Sequence, residues 1–123
     1  MIRGTVNAGM EAVVRLRLRG PPGSLADVDA VVDTGFTSSL TLSPAVVSAL
    51  GLVRQTGGTA MLADGSARPF DIYAVEVEWG GTWRPVLAWV VGDETLLGMG
   101  LLTGHQLRIE AIPGGVTEIT PYP

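Results

Sequence analysis

The chain has 123 residues, 46% of them hydrophobic and 16% charged, which supports one domain with a real core and excludes two lobes. Its net charge of −4 offers no broad basic field for nucleic acid, and the lack of cysteine excludes disulfides and thiolate metal sites. No stretch reaches the ~18 apolar residues of a membrane span; with no apolar signal core in Met1-Ile2-Arg3-Gly4-Thr5, a cytoplasmic protein without a membrane partner is expected.

The 17 glycines favour many short strands over long helices. A mean hydropathy of +0.36 points to apolar surface buried between subunits. Ile2 to Asn7 reads as a first strand, ended by Asn7-Ala8-Gly9. Glu11 to Gly20 alternates, with Val14, Leu16 and Leu18 on one face and Arg15, Arg17 and Arg19 on the other. The arginine face reads as solvated. Gly20-Pro21-Pro22-Gly23 reverses the chain into Leu25 to Val32, with Asp27 and Asp29 on its polar side. That hairpin feeds directly into Asp33.

Ser39 to Leu42 reads as a short strand. Ser43-Pro44 and Gly51 then punctuate a short helix, with serine as N-cap, proline in the first turn and glycine past the end. Asp64-Gly65-Ser66 joins two strand-like runs, Thr59 to Ala63 and Ala67 to Trp79, as a hairpin tip. Gly80-Gly81 turns into an apolar strand from Thr82 to Val91, and Thr95-Leu96-Leu97 enters another buried run. Gly98 to Gly104 is too glycine-rich for more than a one- or two-turn helix. Gln106 to Ile112 and Val116 to Thr120 make a last hairpin around Pro113-Gly114-Gly115. The pattern indicates a single all-β domain over residues 1–123, a small closed barrel with one or two short helices.

Chemistry concentrates after residue 30. The apolar run Ala30-Val31-Val32 delivers the carboxylate of Asp33, and Thr34, Gly35, Phe36, Thr37 and Ser38 follow at once. A carboxylate at the mouth of a core is costly unless it is hydrogen-bonded or used. Asp-Thr-Gly alone is a weak signal, but Leu96-Leu97-Gly98 supplies a second apolar-apolar-glycine element later in the chain. His105, the one histidine, stands beside no nucleophile motif and reads as a surface or loop residue. Asp93-Glu94 reads as a turn, and Trp79, Trp83 and Trp89 as core or interface.

Together these residues resemble the retropepsin-like (clan AA) aspartic proteases, in particular the small bacterial branch. The resemblance rests on Val31 to Ser38, the following Leu40-Thr41-Leu42, Leu62-Ala63-Asp64-Gly65-Ser66 and Leu96-Leu97-Gly98-Met99, in family order. Retroviral members usually carry alanine where this chain has Phe36, a departure that looks like the bacterial branch. The resemblance implies a peptidase in which two carboxylates ~3 Å apart share one proton. This chain has one Asp-Thr-Gly, and Asp64-Gly65 lacks the threonine, so the implied enzyme is a homodimer with Asp33 meeting Asp33 of a second copy.

By the same resemblance Thr34 locks the paired loops, and Gly35 allows close backbone approach. Thr37 and Gly98 support the loop. Ala63, Asp64, Gly65 and Ser66 form a flap that, with Phe36, meets a peptide or protein substrate. No metal or organic cofactor is implied. The C-terminal segment Val116 to Tyr122 is expected to pair across the dimer, shortened by its prolines. The competing expectation is a non-catalytic dimeric peptide-binding or dimerisation module that keeps the fold.

Overall fold

Alternation over residues 12–19 puts Val14, Leu16 and Leu18 inside, each no more than 1% exposed, and leaves Arg15 and Arg17 in solvent. The computed structural model describes residues 1–123, with 54% of the chain in strands and 9% in helices. The first half comprises β1 (Ile2–Val6), β2 (Ala12–Arg19), β3 (Leu25–Val32), β4 (Leu40–Thr41), α1 (Pro44–Leu50) and β5 (Arg54–Met61). The second half comprises β6 (Ala67–Trp79), β7 (Thr82–Val90), β8 (Leu96–Leu97), α2 (Met99–Leu102), β9 (His105–Ile109) and β10 (Val116–Pro121).

All the strands join one sheet in the order β5-β6-β7-β4-β8-β3-β2-β1-β10-β9. Leu18 opposite Val77 and Arg19 opposite Glu76 also bring β6 alongside β2, so the ladder meets itself. The core lies within this turn of sheet. Leu40, Leu97, Leu101, Val77 and Ala88 are fully buried there beside the inner face of β2. Truncating any one of these leucines to alanine carries a cost of about 2–5 kcal/mol, transfer and cavity together.

Where β2 meets β6, the arginine face differs from expectation. Arg19 is half-buried and makes two hydrogen bonds to Glu76, Nε to Oε1 at 3.0 Å and Nη2 to Oε2 at 3.1 Å. Its guanidinium also lies 4.3 Å from the ring centroid of Trp83. This pair holds the Glu76 carboxyl below the ordinary carboxylate range, first through the hydrogen bond from Arg19. Arg17 donates to Asp27 at 3.1 Å across the β2–β3 register. Only Arg15 is left as the free, exposed cation of the stripe.

His105 is the second departure. The buried Trp79 indole donates from Nε1 to His105 Nε2 at 3.2 Å, while His105 Nδ1 lies 3.0 Å from the Thr103 carbonyl. An indole N–H can only donate, so Nε2 accepts and Nδ1 carries the hydrogen. The residue satisfies a core tryptophan rather than decorating a loop. The helix α1 follows its punctuation: Ser43 Oγ accepts from Val46 N–H at 3.2 Å, and Gly51 adopts φ 62° past the end.

The last hairpin is shorter than its sequence pattern. Regular pairing of β9 ends at Ile109; beyond it the Glu110 N–H donates to the Val116 carbonyl at 2.8 Å, and the Glu110 carboxylate accepts the Val116 N–H at 2.9 Å. Strand β10 is inserted between β1 and β9, with four paired positions on one side and five on the other. Both its edges are taken within the chain. The expectation that Val116 to Tyr122 pairs across a dimer is therefore not what the monomer presents.

Candidate active site

Asp33 leaves the end of β3 where two short strands, β8 and β4, lie beside it in the sheet. Val31 and Val32 pair in parallel with Leu96 and Leu97, and Leu97 in turn pairs with Leu40. The Asp33 N–H extends that ladder by donating to the Leu97 carbonyl at 2.9 Å. Leu40 and Leu97 are fully buried and Val31, Val32 and Leu96 half-buried, and this apolar ladder delivers the carboxylate to the end of the core. There the chain reverses, with the Phe36 N–H donating to the Asp33 carbonyl at 3.2 Å.

The Asp33 side chain is half-exposed and accepts one hydrogen bond within the chain, from the Gly35 N–H to Oδ1 at 2.9 Å. A β-carbon on Gly35 would stand 3.2 Å from that oxygen and crowd the contact. Thr34, Gly35 and Thr37 are exposed, and the hydroxyls of both threonines make no hydrogen bond within the chain. The carboxylate thus faces outward, flanked by donors and acceptors that its own chain does not use.

Beneath the loop, Gly98 is buried at φ −99°, a backbone any residue adopts. It is glycine for want of space. A β-carbon there would collide with the Ser38 carbonyl oxygen and lie 2.6 Å from both Phe36 Cδ2 and the Phe36 carbonyl oxygen. The N–H groups of Gly98, Met99 and Gly100 donate to the carbonyls of Ser39, Phe36 and Ser38 at 3.0, 2.7 and 3.0 Å. Three successive amides therefore tie the Asp33 loop to the segment after β8.

Phe36 turns toward Trp89 of β7, edge to face, with centroids 5.3 Å apart and planes at 76°. Trp89 stacks on Phe70 of β6 at 4.5 Å and 24°. Phe70 also lies against Gly58 of β5, where a β-carbon would come within 2.6 Å of the Phe70 ring. An aromatic column thus runs from the Asp33 loop to the base of the β5–β6 hairpin. The sequence pattern assigns Trp89 to the core or an interface and gives Phe70 no distinction. The one clue was an aromatic residue a few positions beyond the hairpin tip.

At the tip, Leu62 N–H donates to Ser66 O at 2.8 Å, and Gly65 takes φ 84°. Asp64 Oδ1 accepts from the Ser66 hydroxyl at 2.6 Å and the Ser66 N–H at 2.9 Å. These contacts, the hydroxyl first, hold the Asp64 carboxyl below its usual range. Its lone pairs serve the turn. Ala63, Asp64, Gly65 and Ser66 are all exposed, on a tip that touches no other element through hydrogen bonds.

Chemically, a half-exposed carboxylate with one backbone donor can accept a proton from water, but general acid catalysis needs a second titrating group. The sequence holds no second Asp-Thr-Gly to provide it.

Residues 14–104 match the family model described as aspartyl protease. No curated protein matches the chain. Among solved structures, the fold is similar to a retropepsin-like aspartic protease from Rickettsia conorii. The TM-score is 0.56 at 17% identity, covering 96% of this chain and 92% of that one. The matched span contains the Asp33 loop, the hairpin tip and Gly98, and the chain accordingly belongs to the aspartyl protease family, with a retropepsin-like fold.

Proposed function

We propose that the protein is an aspartic endopeptidase that acts as a homodimer, with Asp33 from each of two copies forming the catalytic dyad on a two-fold axis. The observation that carries this reading is the presentation of Asp33. It is one carboxylate, half-exposed beyond a half-buried strand end, on a loop fixed by three amides from below and with unused hydroxyls beside it. A rigid base aimed out of the chain has half of what peptide hydrolysis needs.

In the dyad one carboxylate is ionised and the other protonated, because two negative charges ~3 Å apart are not both tolerated. The ionised Asp33 takes a proton from water as the oxygen attacks the peptide carbonyl carbon. The protonated Asp33 gives its proton to the carbonyl oxygen, forming a neutral tetrahedral diol. Collapse of the diol breaks the C–N bond: the protonated carboxyl gives its proton to the leaving amine while the other carboxylate takes one from a diol hydroxyl, which leaves the acid product and restores the singly protonated dyad. Thr34 reaches across the axis to lock the two loops together. The strand ring met by β2 and β6 serves as a small closed barrel behind the cleft. The tip from Ala63 to Ser66 closes over an extended peptide as a flap, holding it by main-chain hydrogen bonds, with Phe36 beside it. The reaction requires neither metal nor organic cofactor.

Cleavage of an unbiased peptide library, read by mass spectrometry, tests the reading. Wild-type protein is expected to cleave, and an Asp33→Asn variant that still dimerises is expected not to. Equal cleavage by that variant would overturn the mechanism, and a wild type that binds peptides without cleaving them would make the protein a peptide-binding module. The rate should also fall as pH rises above the upper apparent pKa of the dyad.

A further inference from the structure

Next to the Asp33 loop lies an apolar groove of about 350 Å³, walled by Met10, Ala12, Val31, Val32, Ile109 and Ala111. Its one charged lining residue, Glu11, has its carboxylate turned to Asn7, whose Nδ2 donates at 3.0 Å. Met10 and Ile109 are 52% and 41% exposed, unusual for large apolar side chains gathered at one site. Met10 also adopts φ 63°, a left-handed backbone rare for a residue with a β-carbon. The β1–β2 turn thus holds an exposed thioether at the mouth of the groove.

We infer that this groove is the surface through which two copies of the chain associate, in place of their C-terminal strands. The inference rests on the homodimer proposed above and names the contact that dimer uses. Two observations select a second copy as occupant. The first is position: Val31 and Val32 run straight into Asp33, and adjacent Cα atoms are only ~3.8 Å apart. An axis passing between two Asp33 carboxylates therefore runs close to both grooves, and apposing the two would bury them as one isologous patch.

The second observation is topology. Strand β10 already pairs with β1 and β9, so an intermolecular sheet built from it must first break four or five paired positions in each copy. The groove needs no such exchange. It is nearly free of charge, so self-association there sets no like charges against each other apart from the two Glu11 side chains at its rim.

The test combines sedimentation velocity with peptide hydrolysis for Met10→Glu, Ile109→Glu and a control, Leu25→Glu. Leu25 is 56% exposed at the far end of β3 from Asp33. Each groove variant is expected to weaken the dimer at least tenfold. Its rate-against-concentration curve should shift to higher protein by the same factor, with the rate per dimer restored at saturation. The control should match wild type. Circular dichroism verifies folding, and Met10→Ser with Ile109→Ser replaces any variant that fails to fold. Groove variants that dimerise and cleave like wild type would overturn the inference while leaving the dyad intact. A wild type that cleaves as a monomer would instead overturn the homodimer, and the groove assignment with it.

Discussion

The Asp33 loop and the Asp64 tip are both tight reversals in which an aspartate side chain accepts from a backbone N–H two residues on. They differ in what surrounds that local bond. The Asp33 loop hangs from Leu97 through its first amide and rests on Gly98, Met99 and Gly100, with Phe36 wedged against Trp89. The Asp64 tip bonds only to itself, and every residue from Met61 to Pro69 is exposed, until Phe70 anchors the hairpin. Local opening costs little where few buried contacts are lost and much where packed strands must part. The same turn chemistry therefore yields a fixed platform at one end of the aromatic column and an easily opened arm at the other.

The largest expected contrast is catalytic. Asp33→Asn should lower peptide hydrolysis by about 10³-fold or more while leaving the melting temperature and sedimentation unchanged. Asp64→Asn, measured in the same assay, should retain activity within roughly tenfold, since that carboxylate serves only its turn. Comparable losses in the two variants would erase the distinction.

The next contrast is between two glycines. Gly98→Ala forces a β-carbon into the Ser38 carbonyl, and should cost about 1–3 kcal/mol as a lower denaturant midpoint at unchanged slope. Gly65→Ala meets no atom within 4 Å but must hold φ 84°, so the cost is backbone strain of about 1 kcal/mol. That strain falls on a segment that opens by itself, so it should appear in hydrogen exchange at the tip more than in global stability. A Gly98→Ala protein as stable as wild type would show that the platform yields.

Breaking the column between the two regions should have a smaller effect. Phe70→Leu keeps a large apolar side chain, though a smaller one, and loses the stack on Trp89, worth about 1 kcal/mol. Faster amide exchange through β5 and β6, with the exchange of Asp33 to Ser39 unchanged, is the expected outcome.

The smallest expected effect is a pH dependence. The Asp64 carboxyl is held below its ordinary value by Ser66, so its contribution to the turn is complete above the unfolded value of 3.8. It drains away as pH falls through the lowered folded value. Protection of the Ser66 amide, corrected for intrinsic exchange, should exceed that of an Asp64→Asn variant near neutral pH, and the two should converge in acid.

Much of this architecture was legible locally. Alternation marked the inner face of β2, Ser43 and Gly51 marked the ends of α1, and Asp64-Gly65 marked a hairpin tip, because each depends on residues within a few positions of one another. The position of Asp33 at the end of an apolar run was equally plain. What was misread involved distant partners. His105 looked superficial because its donor, the Trp79 indole, lies on another strand. Arg19 looked solvated because Glu76 joins it only where the ladder meets itself.

The sequence by itself determined the strands, their turns and the carboxylate, since hydrophobic period, proline and glycine act over a few residues. Tertiary structure alone decided that β10 lies between β1 and β9, that Gly98 is glycine for lack of room, and that Phe36, Trp89 and Phe70 form one column. Those outcomes depend on which faces meet after the chain closes, and no local pattern records the distance between residues that only folding brings together.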